Sequence, residues 1–175
     1  MPQNLLAIHG VLGLICAVGE GGRILMFKGD LYKPFEVASP TRATLRGVWV
    51  QTPQAAWAVG DDGTVIHWNG HTWERVALAT KQDRLTCIWG DPAFGLWIGA
   101  GKHLINYSAD GQHNVLVQSD VEIRAVWGTG PRDMWLLAAG RAVMHWNGDY
   151  CAGDSLPGEG FAHQLRFARQ FQWVG

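Results

Sequence analysis

The sequence predicts an all-β fold of repeated four-stranded antiparallel units, and three observations carry that prediction. The 175 residues include 23 Gly and 10 Trp, a composition that suits short strands joined by tight turns. Leu45-Arg-Gly-Val-Trp49 recurs as Leu85-Thr-Cys-Ile-Trp89 and as Ile123-Arg-Ala-Val-Trp127, with the Trp residues 40 and 38 positions apart. No segment sustains helical periodicity, whereas short runs rich in Val, Ile and Trp end at Gly, Asp-Gly or Asn-Gly. A meander of this length cannot bury both of its faces alone. Packing neighbours radially buries them, which makes each unit a blade of a β-propeller. A linear β-solenoid, the rival architecture, usually has shorter turns and parallel strands.

The elements follow in order. A step of 40 back from Trp49 reaches His9, so Leu5-Leu-Ala-Ile-His9-Gly10 opens the first blade, residues 5–40. Ile15–Gly19, Arg23–Phe27 and Phe35–Val37 supply its other strands. The apolar run from Leu5 to Val18 is thereby two strands of a blade. It lacks a basic residue before it and an Ala-x-Ala site after it, and it is too short to span a bilayer. The expectation is a cytoplasmic chain with no targeting signal and no membrane insertion.

The second blade, residues 45–80, takes Leu45–Trp49, Ala56–Gly60, Thr64–Trp68 and Trp73–Leu78. The third, 85–118, takes Leu85–Trp89, Leu96–Gly99, His103–Tyr107 and Asn114–Val117. The fourth, 123–150, takes Ile123–Trp127, Met134–Leu137 and Ala142–Trp146. Pro53, Pro92 and Pro131 lie between strands, where a missing N–H costs nothing. Asp62-Gly63, Asn69-Gly70 and Asn147-Gly148 supply the positive φ that tight hairpins need.

Residues 151–160, rich in Gly, Pro and acid, read as a loop in place of the fourth strand of the last blade. Residues 161–175 then read as a terminal strand, because Leu165, Phe167, Phe171 and Trp173 share one parity against Arg166, Gln170 and Gln172. A helix would instead gather Phe167, Phe171 and Val174. As a strand, this segment is either part of a fifth blade or an intersubunit strand, since a lone amphipathic edge invites pairing with another chain. A homo-oligomer is the expectation.

Charge narrows the partners. There are 14 basic and 15 acidic residues, a net charge of −1, and charged residues are 17% of the chain, against roughly 25% in an average domain. With Lys and Arg scattered, nucleic acid and anionic membrane find no electrostatic footprint. Cys16, Cys87 and Cys151 are odd in number with no Cys-x-x-Cys pair, as expected of reduced thiols serving as small buried side chains.

The motifs Val48-Trp49, Pro53, Trp57-Ala-Val-Gly60, Asp62-Gly63, His67-Trp-Asn-Gly70 and Trp73 stand in the second blade. Val126-Trp-Gly128, Pro131, Asp133, Trp135 and His145-Trp-Asn-Gly148 stand in the fourth. Together they resemble the Trp-Gly-type repeats of bacterial β-propellers, similar to the Asp-box (BNR-like) and photosystem II assembly-factor-like families, over roughly residues 5 to 150. Two departures stand out. The Ser-x-Asp half of an Asp box is missing, leaving Gly70-x-Thr72-Trp73, and the Gly-His…Trp-Asp signature of a WD40 repeat is absent. The resemblance implies the fold and leaves the function open, because propellers serve many roles.

Catalytic chemistry finds little support. Asp30, Asp61, Asp62, Asp110 and Asp149 sit in or beside Gly turns, where local hydrogen bonding accounts for them. No Gly-x-Ser-x-Gly, His-Glu-x-x-His or phosphate-binding Gly loop occurs, and Gly19–Gly22 is a hairpin turn in repeat register. His67 and His145 share a repeat position as strand residues before an aromatic, so neither metal nor cofactor is expected.

Trp49, Trp57, Trp89, Trp97, Trp127 and Trp135 read as interblade core. Trp68, Trp73, Tyr107 and Trp146, with Asn69 and Asn147 beside them, lie nearer strand ends and are the candidate binding residues. Two functional classes remain. One is a non-catalytic interaction module, a scaffold, adaptor or assembly subunit that binds other protein chains or a second copy of itself. The alternative is a lectin-like propeller that binds glycan weakly at repeated aromatic sites. Against it, Asn106-Tyr107-Ser108 and the missing Trp73 counterpart break the pattern in the third blade.

Overall fold

A computed structural model of the chain describes residues 3–29, 33–77, 84–108, 113–139 and 142–155. Four four-stranded antiparallel sheets, each a meander in chain order, account for its regular structure. Blade 1 comprises β1 (Leu5–Val11), β2 (Leu14–Gly19), β3 (Ile24–Lys28) and β4 (Phe35–Glu36). Blade 2 comprises β5 (Leu45–Thr52), β6 (Ala55–Gly60), β7 (Val65–Trp68) and β8 (Trp73–Val76). Blade 3 comprises β9 (Leu85–Asp91), β10 (Gly95–Ala100), β11 (His103–Tyr107) and β12 (His113–Gln118). Blade 4 comprises β13 (Ile123–Gly130), β14 (Asp133–Ala138), β15 (Ala142–Trp146) and β16 (Cys151–Ser155). The fold is that of a β-propeller with four blades. The amphipathic segment carrying Leu165, Phe167, Phe171 and Trp173 lies outside the described residues, as do Asp30 and Asp110.

The last strand corrects an expectation. Residues 151–160 were expected to form a loop, but Cys151–Ser155 completes blade 4, in register from Trp146↔Cys151 to Ala142↔Ser155. A free edge of β15 offers unpaired N–H and C=O groups, and backbone ladder bonds need no β-branched side chain. Pairing therefore overrides the low β-propensity of Cys-Ala-Gly-Asp-Ser.

The turns divide into two kinds. Asp62 and Gly63 both adopt left-handed φ, 58° and 59°, as a tight hairpin with Asp-Gly requires. The Asn-Gly pairs work differently, because only the Gly has positive φ there. Four residues separate the paired ends Trp68↔Trp73 and Trp146↔Cys151. Asn69 Oδ1 accepts the backbone N–H of His71 and of Thr72, and Asn147 Oδ1 accepts those of Asp149 and Tyr150. Each Asn side chain thus substitutes for a backbone acceptor and fixes a longer loop. Glu20–Gly22 is a short 3₁₀ turn.

The chain divides into two compact units, Met1–Ile88 and Trp89–Gly175. In the first, the buried core joins Leu14, Cys16, Val18, Ile24 and Met26 of blade 1 to Val48, Val50, Ala56, Ala58, Ile66, Trp68 and Trp73 of blade 2. Arg46 makes a two-pronged pair with Asp61, Nε to Oδ1 at 2.6 Å and Nη2 to Oδ2 at 2.8 Å. Arg84 Nε stands 3.7 Å from the same carboxylate, and Asp61 and Arg84 form a backbone bridge. Asp61 is therefore an ion-pair residue linking the start of β9 to blade 2, where the sequence read only turn chemistry. In the second unit, Met134, Leu136, Met144 and Trp146 of blade 4 are buried.

Candidate interaction surface

Antiparallel partners point to the same face of a sheet, so the registers sort each blade into two faces. In blade 2 one face carries the rows Gly47↔Val59↔Val65 and Trp49↔Trp57↔His67, and the other carries Val48↔Ala58↔Ile66 and Val50↔Ala56↔Trp68. Blade 4 repeats this. Its first face carries Ala125↔Leu137↔Val143 and Trp127↔Trp135↔His145, and its second carries Val126↔Leu136↔Met144.

The two blades differ in burial. In blade 2 one row of that face, Gly47, Val59 and Val65, is buried, and a Cβ on Gly47 would lie 3.1–3.2 Å from Cys87 and Ile88, while Trp49, Trp57 and His67 are half-buried. In blade 4 the same face is open. Trp127 is 59% exposed, Trp135 45% and Leu137 45%, while the alternate residues Val126, Met134, Leu136 and Met144 are buried. This corrects the reading of Trp127 and Trp135 as interblade core. They occupy the core position of the repeat, but on blade 4 that position is exposed.

The open face is firmly held from beneath and beside. The Trp135 and His145 rings lie 4.5 Å apart, and His145 Nε2 stands 2.7 Å from Asp133 Oδ1. Thr129 Oγ1–H donates to the other oxygen of the same carboxylate. The Thr129 hydroxyl, then His145, hold the Asp133 carboxyl below its ordinary range. The result is an aromatic and aliphatic surface with a polar rim, the composition of an interface centre.

The candidate binding residues fall elsewhere. Trp68, Trp73 and Trp146 are buried. Trp68 Nε1–H donates to the carbonyl of Pro53 at 3.3 Å and Trp146 Nε1–H to that of Pro131 at 3.2 Å. The Lys28 ammonium sits over the Trp68 ring, 5.2 Å from its centroid. These rings have no open face on which a sugar could stack, because they close the hydrophobic core beside their turns. Asn69 and Asn147 are spent on the loops described above. Tyr107 takes the place of Trp68 in blade 3, paired with Leu96 and half-buried.

The remaining polar groups are structural in placement. His9 stacks on Trp49, ring centroids 4.2 Å apart, and its Nδ1 accepts the Val50 N–H at 2.9 Å. Burial lowers its pKa, and that of His67, which packs on Trp57 at 4.2 Å. Burial pushes the Cys16 thiol up to about 12 and the Cys151 thiol to about 11, so both are neutral at physiological pH and poor nucleophiles. Among the described residues no group of three His, Cys, Asp or Glu could hold a metal ion, and no helix is long and apolar enough to cross a membrane.

Trp127, Trp135 and Leu137 were missed as surface residues because a repeat position carries the same residue types on every blade. Nothing in the repeat pattern itself separates them from their counterparts on the other blades.

No family model matches the chain and no curated protein matches it. Solved structures do. The WD40 repeats of RRP9 superpose with a TM-score of 0.71 at 12% identity, over 83% of this chain and 46% of that one. YCF48 bound to D1 peptide gives 0.65 at 15%, over 83% and 51%. YCF48 from Cyanidioschyzon merolae gives 0.63 at 14%, over 87% and 57%. The chain thus spans about half the length of the structures it resembles, and the likeness places it in the β-propeller fold.

Proposed function

We propose that the chain is a non-catalytic protein-binding module, a propeller segment that acts as scaffold, adaptor or assembly subunit. The observation that carries this reading is the exposed face of Trp127, Trp135 and Leu137. Soluble proteins rarely leave two adjacent Trp side chains open on an ordered sheet unless a partner covers them, and Trp is among the residues that dominate protein interfaces. The burial of Trp68, Trp73 and Trp146 removes the repeated aromatic platforms that a lectin would need. One similar propeller, YCF48, is known bound to a D1 peptide, so a fold of this kind can hold a protein segment.

The test is site-specific photo-crosslinking in cells. A photoreactive amino acid at position 137 should give covalent adducts with protein, and Trp127→Glu in the same chain should abolish them. Absence of any protein adduct at position 137 would overturn the reading.

A further inference from the structure

We infer that Asp133 is the positioning residue of the open Trp face, its carboxylate fixing the orientation in which Trp135 meets a protein partner. This rests on reading the chain as a protein-binding module and names the side chain that prepares its surface.

Asp133 and Trp135 stand two residues apart on β14 and so share one face of the sheet. Three side chains of that face converge on the Asp133 carboxylate. From β13, Thr129 Oγ1–H donates to Oδ2. From β15, His145 Nε2 stands 2.7 Å from Oδ1. The indole N–H of Trp135 itself is the third donor. Thr129 first, then His145, and to a smaller extent Trp135, hold the carboxyl below its ordinary range, so the group is ionised at neutral pH and only accepts. Both restraints on the Trp135 ring thus pass through one residue. The carboxylate draws its N–H directly, and it also holds the imidazole that packs on the ring with centroids 4.5 Å apart.

The other blades show why this restraint belongs here. Two residues before the Trp135 position stand Leu14 in blade 1, Ala55 in blade 2 and Gly95 in blade 3, and in blade 4 alone a carboxylate. The pairs Val11↔Leu14, Thr52↔Ala55 and Gly130↔Asp133 confirm the correspondence. Cys16 and Trp97 are 0% and 2% exposed and Trp57 is half-buried, so packing restrains them. Trp135 is 45% exposed, and a ring open on one side has rotamers to lose when a partner binds. Hydrogen bonds supply the order that packing does not. Closing the β13–β14 turn would need only the bond from Thr129. The two from His145 and Trp135 serve the face.

Fluorine NMR of 5-fluorotryptophan-labelled protein, run beside photo-crosslinking from position 137, tests this. The Trp135 line is assigned by its loss in Trp135→Phe. Asp133→Ala should move that line toward the position of free 5-fluorotryptophan, leave the line of buried Trp97 in place and keep the wild-type circular dichroism. With expression held below the plateau of adduct yield, protein adducts at position 137 should fall by about two- to tenfold, the effect of one more side chain to be ordered on binding. Asp133→Asn keeps an oxygen that accepts, so it should lie between wild type and Asp133→Ala in both readouts. It takes the place of Asp133→Ala if that variant loses its circular dichroism. A Trp135 line that stays in place overturns the inference, and so does a moved line with unchanged adducts. Wild-type adducts in either of those cases retire Asp133 alone and keep the binding module, whereas no protein adduct from the wild type retires both.

Discussion

The indole N–H of Trp68 donates to the carbonyl of Pro53 across the blade, and Trp146 makes the same bond to Pro131. The Pro of the repeat thus does more than end a strand, because its carbonyl pins the aromatic that starts the next turn. Trp97 and Trp73 differ: their Nε1 atoms are buried with no hydrogen-bond partner among the described residues. Trp68→Phe and Trp97→Phe lose a similar volume, but only the first breaks a bond, and the second removes an unpaired donor. Trp68→Phe should therefore be the more destabilising, by at least about 1 kcal/mol, as read from urea denaturation midpoints.

Glycine at the end of β6 is needed for space. A Cβ on Gly60 would run into the carbonyl oxygen of Thr44, and one on Gly19, its counterpart in blade 1, into that of Asn4. Backbone is on the other side of each clash, so no flexible side chain can yield. Gly60→Ala should cost about 1–3 kcal/mol. Gly130→Ala is the control: nothing lies within 4 Å of its Cβ and its φ is not positive. It should be neutral, or stabilising by about 0.4–1 kcal/mol through the unfolded chain, and thermal unfolding of the pair gives the contrast.

These positions show where the sequence was legible. Trp49, Trp89 and Trp127 set the blade period, and each expected strand from β1 to β15 has a counterpart in the structure. Residue types mark strands well, since a half-buried pleat demands Val, Ile and aromatic side chains. Cys151–Ser155 shows the limit, because backbone pairing to β15 can form a strand from residues whose types do not announce one. The site was less legible for a related reason. Trp135 and Trp57 are the same residue at the same repeat position, yet Trp57 is half-buried and Trp135 is 45% exposed, a difference no residue type records. Likewise Trp68, next to a polar Asn-Gly turn, looked accessible from its strand-end position, but the Pro53 carbonyl and Lys28 come from elsewhere in the chain.

Asp61 gives the fold an acid sensitivity. Its hydrogen bonds from Arg46 come first, then the attraction of Arg46 and Arg84, and together they hold its carboxyl below the ordinary range despite some burial. A lowered carboxylate stabilises the folded state fully above the ordinary Asp value of about 3.9, and that contribution is lost as pH falls through the lowered value. Asp61→Asn should lower stability at pH 7 and show a smaller further loss than wild type on acidification below about pH 4. Equal acid slopes in the two proteins would contradict the pairing.

His9 acts in a higher window. Its Nδ1 accepts the Val50 N–H while the ring stacks on Trp49, and burial depresses its pKa. The folded state therefore prefers the neutral ring, and the unfolded chain takes up a proton first as pH falls. Stability from this residue is complete above the ordinary His value of about 6.5 and declines as pH drops from there toward the folded pKa. His67 adds to the same slope, its pKa lowered by burial and only partly restored by Glu74. In His9→Asn the amide oxygen can still accept from Val50, but nothing titrates at that position. The variant should lose less stability than wild type between pH 7 and pH 5, measured as the change in denaturation midpoint.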